Sequence, residues 1–501
     1  MIYYILSVVG LLGASLLAVV VITEIISRKR VGFYTKQGFE PCFSYGLTGL
    51  SNLIIKGMKN ENVLQFLYDK ILQNRKSGFP GIAFNDPKTG SALILITDLN
   101  LIKEFSMKDN DVALRGSPTD MKLKMGFFMM NGENAMTQRV IFSEFFRIEN
   151  LNKLIPSINR IIASRFEECR NKEGKVEITK SKEFIDSLMA RIVNSLIFGE
   201  GQEAPRAKDG LSFSEELTDI MGTVFSKNIF YHPVNALSRD MASKYNLLPK
   251  ARECEDRARA MDKLLEDYLK QRIENSEKYK ESRKQFCLIN MMINYNESAK
   301  ADQKLSMNDM IGNCNVFLVA GFDTTGNSIC SMLYNLAHKP EILGQVKESV
   351  AGLEKHGVSF EEIDASEILE KVVKESIRVN PPAGLSARRD LMVDFTLGKY
   401  KFLKGDILSM PLGPLLWDED AFNSCRKFDI SAINDKNKRQ YNPFYMGKRN
   451  CVGQQLAQLE MKLVMIYVAN RFKLQPLTDK CKYSISFAMQ VTECDVKFLE
   501  L

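Results

Sequence analysis

The 501-residue chain has few of the residue types that would indicate several common kinds of site. Its three histidines (His232, His338 and His356) lie far apart in the sequence, which argues against a zinc or di-iron centre built from histidine. Its ten cysteines form no C-x-x-C pair and no disulfide-like spacing, so most are expected to be reduced and buried. A G-x-G-x-x-G fingerprint in a strand–helix setting is also missing, so no dinucleotide site is expected.

Charge and composition exclude further classes. Lys and Arg number 68 against 61 Asp and Glu, a mild excess of +7 without the concentrated basic block of a nucleic-acid binder. With 45% hydrophobic and 26% charged residues, the chain is neither fibrous nor disordered. No repeat or flexible bridge divides it, and most of it shows helical periodicity, which predicts one large helix-dominated domain. Short β-type runs are predicted near Ser91–Thr97, Phe395–Phe402 and Tyr483–Leu499.

The N-terminal segment from Ile2 to Ile26 is almost continuously apolar. Roughly 20 helical residues cross a bilayer core, so this run is long enough to span. Arg28-Lys29-Arg30 follows it, and the positive-inside rule places such a cluster in the cytoplasm. A cleaved secretory signal is the alternative, but no basic residue precedes the run. We therefore predict a transmembrane anchor at 1–26, a linker at 27–50 and a cytosolic body at 51–501.

One pattern near the C-terminus indicates a cofactor. Phe444, Gly447, Arg449, Cys451 and Gly453 form F-x-x-G-x-R-x-C-x-G, followed by an apolar helix-forming run. A thiolate is stabilised by positive potential, which the N-terminal end of a helix just after Cys451 supplies. The glycines let backbone approach a flat macrocycle, and Arg449 can pair with one of its carboxylates. The pattern is typical of a haem-thiolate site; an inert cysteine in a chance pattern is the alternative.

On these residues the chain resembles the cytochrome P450 family, in particular its microsomal, membrane-anchored members. The resemblance implies a mainly α fold with small β-sheets (α+β), preceded by one N-terminal transmembrane helix. It also implies haem b (iron protoporphyrin IX) as the cofactor, with Cys451 as the iron ligand. Thiolate ligation donates electron density to iron and favours cleavage of the O–O bond.

A second signature is Glu375-Ser376-Ile377-Arg378, which matches the family's E-x-x-R. Three residues apart on a helix, Glu375 and Arg378 can form an ion pair, and the resemblance implies that they support the haem-binding core without taking part in the chemistry. Arg388 stands where the family has a propionate-binding Arg or His. The adjacent Arg389 is the alternative for that role.

The third signature is the segment Ala320-Gly321-Phe322-Asp323-Thr324-Thr325, in an apolar helix that a capping box at Ser306–Asp309 opens. Glycine, an acid and threonines are poor choices inside a buried helix, so a function is expected. By resemblance, Ala320 and Gly321 lie over the distal face of the haem. Asp323 and Thr324 then deliver protons there. A helix with back-bonding hydroxyls is the structural alternative.

The chain departs from the family pattern at two positions. Arg139 matches the Arg of G-x-x-W-x-x-x-R and is implied to bind the other propionate, but Ala135 replaces the Trp. Ala432 replaces an Arg that in the family completes a triad with the E-x-x-R pair. The loop around Ala432 is therefore held differently, or haem is held more weakly.

Smaller features have less specific interpretations. Phe317, Phe487 and Met489 are candidates for the substrate pocket, with a core role as the alternative, and His338 is interpreted as structural. An acidic flavoprotein or cytochrome b5 is expected to dock on four basic residues before the cysteine, for which a solvated loop is an equal alternative. These four are Lys436, Lys438, Arg439 and Lys448.

The leading hypothesis is a monooxygenase of the endoplasmic reticulum membrane that inserts one oxygen atom from O2 into a lipophilic substrate. Electrons are expected from NADPH through NADPH-cytochrome P450 reductase. One alternative is an O2-independent isomerase or dehydratase of the same fold, and the other is a non-catalytic, membrane-tethered haem-binding protein. The sequence does not identify the substrate, because a pocket that selects its ligand by apolar shape has no recognisable sequence motif.

Overall fold

The structure is a computed structural model. The residues that it describes are 2–43, 63–86, 89–114, 124–178, 180–202, 205, 220, 249–275, 279–353, 358–383, 387–422, 426–485 and 489–501.

Helices account for most of the described chain. Up to the middle of the sequence they are α1 (Ile2–Thr35), α2 (Val63–Lys76), α3 (Leu99–Val112), α4 (Gly126–Met129), α5 (Gly132–Ser143), α6 (Ile148–Glu167), α7 (Ser181–Phe198) and α8 (Pro249–Glu274). The later ones are α9 (Leu288–Ser298), α10 (Met307–Ala337), α11 (Pro340–Ser349), α12 (Phe360–Asp364), α13 (Glu367–Val379), α14 (Leu412–Leu415) and α15 (Gln454–Arg471).

The strands form one larger sheet and three two-stranded sheets. They are β1 (Glu40–Cys42), β2 (Gly81–Asp86), β3 (Ser91–Ile96), β4 (Ala113–Leu114), β5 (Ala387–Leu391), β6 (Phe395–Leu397), β7 (Tyr400–Phe402), β8 (Ile407–Met410), β9 (Phe472–Pro476), β10 (Lys482–Ile485), β11 (Met489–Glu493) and β12 (Val496–Glu500). The six-stranded sheet has the order β1-β2-β3-β8-β5-β4, and the pairs are β6–β7, β9–β12 and β10–β11. All three predicted β-type runs are confirmed as strands.

The long helix α10 is the axis of the helical core. It begins at the predicted capping box, in which the Ser306 hydroxyl accepts from the Asp309 N–H (3.1 Å) and an Asp309 carboxylate oxygen accepts from the Ser306 N–H (2.9 Å). The helix is buried along most of its length, and α7, α13, α15 and β11 pack around it. A side chain at Gly312 would meet the backbone nitrogen of Gly126 at 2.6 Å, so α10 and α4 approach closely only because position 312 is glycine.

The last turns of α1 dock on the six-stranded sheet. The Tyr34 hydroxyl and the Arg30 guanidinium donate to the buried Asp406 carboxylate, at 2.6 and 2.8 Å. The helix therefore continues past the predicted boundary at 26, and β1, within the predicted linker, joins the sheet. Within the described part of the chain, no helix has an 18-residue stretch that is apolar enough to cross a bilayer. The N-terminal anchor stays a prediction.

Candidate functional site

The cysteine loop leads into α15. The Cys451 N–H donates to the Phe444 carbonyl (2.8 Å), which closes the loop, and the Cys451 side chain is exposed. Tyr445 and Gly447 both have positive φ, 64° and 67°. Because α15 begins at Gln454, three residues beyond the cysteine, the positive end of its dipole lies near the sulfur. This environment favours a thiolate ligand.

The two glycines of the motif have different local roles. A Cβ on Gly447 would lie 2.2 Å from the Ser106 carbonyl oxygen of α3, so the loop and α3 meet only because this residue is glycine. A Cβ on Gly453 would contact the Phe146 ring at an ordinary 3.5 Å, and its φ of −86° suits any residue. The reason predicted for both glycines was approach to a macrocycle. For Gly447, the close contact with α3 is by itself a sufficient reason for glycine.

Two of the predicted propionate partners lie beside the cysteine loop. Arg139 of α5 donates to the Asn450 side-chain oxygen and interacts electrostatically with Cys451. Arg449 is 5% exposed and donates to the Met130 carbonyl (3.0 Å). Burial lowers the pKa of both guanidinium groups, although both stay cationic at neutral pH. Their desolvated charges suit a ligand that carries carboxylates.

Arg388 and Arg389 point in opposite directions from β5. Arg389 is buried and forms an ion pair with Asp109 of α3 (3.1 Å), and its guanidinium lies 5.4 Å from the centre of the Tyr445 ring. Arg388 keeps a 44% exposed side chain and pairs with Asp390 on the same strand face. Arg389 thus connects α3 to the cysteine loop, and it also interacts electrostatically with Arg449. Arg388 is the one with an accessible guanidinium for a ligand.

The acid and alcohol of the third signature lie side by side on α10 in different surroundings. Thr324 is half-buried, and its hydroxyl donates back to the Ala320 carbonyl (2.6 Å) in a hydrogen bond open to solvent. Asp323 is buried and interacts electrostatically with Lys182 of α7, which is hydrogen-bonded to Asp186. A buried acid next to a partly exposed hydroxyl is suited to passing protons.

A fully buried acid on α15 is a feature that the sequence analysis missed. Glu460 is 2% exposed, and burial raises its pKa to about 8. A hydrogen bond from Thr325 partly offsets this rise. Thr325 follows Thr324 on α10, so this contact joins the helix after the cysteine to the helix that carries the acid–alcohol pair. The available signal was a lone acid in the apolar run of residues 456–469.

Glu375 and Arg378 form a bidentate, fully buried ion pair, at 2.7 and 2.8 Å. Burial raises the pKa of Glu375, which Arg378 opposes. The pair holds the loop before the cysteine through its backbone: Arg378 donates to the Lys427 carbonyl (3.1 Å), and Glu375 accepts from the Asp429 N–H (2.9 Å). Ala432 of that loop is buried. The backbone contacts therefore fasten the loop in which the expected Arg is replaced by Ala432.

The remaining predicted positions are spread over the fold. Phe317 of α10 packs in an aromatic cluster and stacks on Phe146 (5.4 Å between ring centres), and that ring also faces Gly453. His338 is the C-cap residue of α10, and its Nδ1–H donates to the Tyr334 carbonyl (3.0 Å). Phe487 lies outside the described residues. Lys436, Lys438, Arg439 and Lys448 are all exposed.

Comparison with known proteins gives a consistent result. A family model described as Cytochrome P450 matches residues 88–498. Cytokinin hydroxylase of Arabidopsis thaliana is 26% identical over 422 residues, which cover 79% of this chain and 78% of that protein. Lithocholate 6-beta-hydroxylase of Mesocricetus auratus is 24% identical over 414 residues, 80% of each chain.

Two solved structures share the architecture. The crystal structure of the cytochrome P450DA heme domain matches with a TM-score of 0.72 at 17% identity, over 92% of this chain and 98% of that one. The retinoic acid bound cyanobacterial CYP120A1 matches with a TM-score of 0.70 at 18% identity, over 92% and 99%. At such identities the likeness concerns the fold, and it confirms the predicted mainly helical fold with small sheets.

Proposed function

Because the chain belongs to the cytochrome P450 family of haem-thiolate monooxygenases, we propose that it inserts one oxygen atom from O2 into a lipophilic substrate, with Cys451 as the iron ligand. The cofactor of the family is haem, iron protoporphyrin IX. The observation that carries the proposal is the Cys451 loop: an exposed sulfur at the N-terminal end of α15, beside Arg139. Two relatives are named hydroxylases, which supports hydroxylation as the reaction.

Haem bound through this thiolate would supply the activation of O2. The protein side chains would hold the haem and manage protons around it. Arg449, Arg139 and Arg388 are proposed to bind its carboxylates, since each is a guanidinium near the cysteine loop or with an accessible head group. Phe444 and Gly447 shape the loop that presents the sulfur, and Gly453 lies at the start of α15. Ala320 and Gly321 form the small-residue turn of α10 just before the acid–alcohol pair.

The proposed proton route uses α10. Asp323, which interacts electrostatically with Lys182, relays a proton to the Thr324 hydroxyl, which passes it on by exchanging its bond to the Ala320 carbonyl for one toward the substrate side. Replacement of Thr324 by Ala should lower product formation roughly 10²-fold. Thr324→Ser keeps the hydroxyl and should retain most of the activity. Equal losses in both variants would contradict the route.

The identity of the iron ligand is tested by the spectrum of the reduced protein with carbon monoxide. The wild-type chain should show the red-shifted Soret band of thiolate ligation, and Cys451→Ala should lack it. Cys169→Ala, at a half-buried cysteine outside the motif, is the matched control and should keep the band. A Cys451→Ala variant with an unchanged spectrum would refute the assignment.

Electrons are proposed to come from NADPH through NADPH-cytochrome P450 reductase, with cytochrome b5 as a second donor. Members of the family take electrons from a redox partner, and the four exposed basic residues before the cysteine are a suitable surface for an acidic protein. NADPH-dependent, substrate-dependent O2 consumption by the reconstituted system would support this. Turnover without NADPH would favour an isomerase or dehydratase, and haem binding without turnover would favour a non-catalytic protein.

The proposed location is the endoplasmic reticulum membrane, with a single N-terminal span and a cytosolic body. The support is the apolar run of residues 2–26, the basic cluster that follows it, and exposed apolar side chains along α1. These side chains are Val19, Val21, Ile22, Ile25 and Ile26.

A further inference from the structure

Three cysteines that are distant in sequence meet at one place behind α10. The thiol of Cys494, after β11, is in hydrogen-bond contact with the thiols of Cys330 on α10 and Cys481 before β10. Cys330 and Cys494 are buried, and Cys481 is partly buried. No role in the proposed reaction uses any of the three.

The register of the β10–β11 hairpin sets the geometry of Cys481 and Cys494. The last pair of the antiparallel ladder is Lys482 with Glu493, just outside a register shift between Lys482 and Tyr483, so the next residues outward, Cys481 and Cys494, lie near each other at the base of the hairpin. Opposed residues of an antiparallel pair have Cα atoms about 4.5–5.5 Å apart, within the Cα separation of roughly 4.4–6.8 Å found in disulfides.

The side-chain directions agree with this register. Lys482 and Glu493 form an ion pair (2.6 Å) with side chains 68% and 41% exposed, so that pair faces solvent. Successive strand residues point to opposite faces, which turns the neighbouring cysteines inward, toward α10. There they meet Cys330 and Tyr334, one helical turn apart on one face of that helix.

We propose that Cys481 and Cys494 form a reversible disulfide when the protein meets hydrogen peroxide. The sulfur of Cys481 attacks the peroxide, the O–O bond breaks, one oxygen leaves as water, and Cys481 becomes a sulfenic acid. The sulfur of Cys494 then attacks, the S–O bond breaks, and a second water leaves with the Cys494 proton. The two thiols lose two electrons and two hydrogens, and the peroxide is reduced to two waters.

The order of the two steps follows from exposure. Cys481 is the accessible member of the pair, so it meets the oxidant first. The contacts with Cys330 and Cys481, together with burial, raise the pKa of the Cys494 thiol, which therefore stays protonated and reacts only when a sulfenic acid forms beside it. Cys330 is fully within the core and lies on the helix, not on the opposing strand.

Charged and titratable groups surround the cluster on several sides. Tyr334 faces it from α10, Asp479 lies in the connection after β9, and Lys182 of α7 interacts electrostatically with Cys330. The Lys482–Glu493 pair lies on the outer face. We expect the cross-link to form more slowly than at a solvent-exposed thiolate, because the surroundings of the Cys494 thiol raise its pKa.

The test is peptide mapping of the full-length protein after graded hydrogen peroxide, alkylation of free thiols and tryptic digestion without reduction. Trypsin cuts after Lys480, Lys482 and Lys497, so the bridge would join the dipeptide Cys481–Lys482 to the peptide Tyr483–Lys497, in which Cys494 is the only cysteine. Peroxide should produce this cross-linked peptide, and dithiothreitol should remove it.

Variants separate the three thiols. Cys481→Ser and Cys494→Ser should lose the cross-linked peptide completely, and Cys330→Ser should keep it; far-UV circular dichroism checks that each variant folds. Cys169, half-buried and hydrogen-bonded to Arg165 (3.3 Å), serves as the internal reference for peroxide dose. A bridge from Cys494 to Cys330 would overturn the proposal. So would a Cys494 that stays alkylatable at doses that oxidise Cys169.

Discussion

At the scale of single residues, neighbouring or equivalent positions in a motif have quite different physical roles. Gly447 allows an approach of backbone to backbone, whereas Gly453 makes only ordinary contacts. Arg389 is half of a buried ion pair, whereas Arg388 next to it has an accessible side chain. Such pairs provide matched variants, because the substitution is the same and only the environment differs.

Gly447→Ala should destabilise the protein whether or not haem is bound. The new Cβ would collide with the Ser106 carbonyl, and a positive φ costs a non-glycine residue about 1–2 kcal/mol. Gly453→Ala should leave the stability of the haem-free protein within about 0.5 kcal/mol of wild type. Thermal unfolding of both variants measures this. Equal losses of stability would show that α3 does not require glycine at 447.

Arg389→Gln should cost on the order of 3–5 kcal/mol of stability, because it leaves the Asp109 carboxylate buried without its cation. Arg388→Gln removes an exposed pair that contributes at most about 1 kcal/mol, so the fold should tolerate it. Its expected effect is weaker haem retention. Urea unfolding measures the loss of stability, and haem titration measures haem retention. Weaker haem binding in Arg389→Gln alone, at unchanged stability, would make Arg389 the haem-binding residue and not Arg388.

At the scale of elements, α13 contacts the loop before the cysteine, and α15, which follows the cysteine, contacts α10. Glu375 and Arg378 of α13 hold the loop by its backbone, and Glu460 of α15 contacts Thr325 of α10. The loop and the acid–alcohol pair thus rest on helices that are fastened to one another. Rigid support of this kind keeps a cofactor and its proton donors in register.

Glu460 should make stability fall as pH rises. Its pKa is about 8 in the folded protein and about 4.5 when unfolded, so between these values the folded chain binds more protons. The contribution of Glu460 to the free energy of unfolding should therefore be most favourable below pH 4.5. Between pH 4.5 and pH 8 it should fall by on the order of 4 kcal/mol. Glu460→Gln should lack this component.

The measurement is the difference in unfolding free energy between wild type and Glu460→Gln, by denaturant titration at several pH values from 5 to 8. Taking the difference cancels the contributions of other titrating groups. Glu493→Gln, at an exposed acid, is the control and should give a nearly flat difference. A flat difference for Glu460→Gln would mean that the carboxylate is charged in the folded protein.

At the scale of the whole molecule, the two ends of α1 have different surroundings. Its last turns are part of the folded body through Arg30 and Tyr34, which bind Asp406. Earlier in the helix, apolar side chains such as Val19 and Ile22 are more than half exposed. The body and the segment proposed to enter a membrane are thus continuous through one helix.

Deletion of residues 2–22 should leave the stability of the body within about 0.5 kcal/mol of the full chain, because the contacts with Asp406 remain. The deletion should abolish flotation with phospholipid vesicles. The matched control is the full-length double variant Arg30→Gln with Tyr34→Phe, which should float normally but lose roughly 3 kcal/mol of stability. Unchanged flotation of the deletion variant would place membrane affinity elsewhere in the chain.

The sequence by itself determined the features whose partners lie within one turn of helix or along one strand. The capping box at Ser306–Asp309, the Glu375–Arg378 pair and the three β-type runs could be predicted because spacing alone brings those groups together. The cysteine motif is equally local, since its residues lie on one loop that runs into one helix.

Only the tertiary structure decided which distant groups meet. Arg389 and Asp109 are 280 positions apart, Gly447 touches a carbonyl of α3, and Glu460 reaches Thr325 on another helix. No spacing rule relates such positions, because they are brought together by how whole helices and strands pack around a common core. Arg388 and Arg389 show the same limit: the residues are adjacent in sequence, and only the position of β5 in its sheet places the Arg389 side chain in the interior.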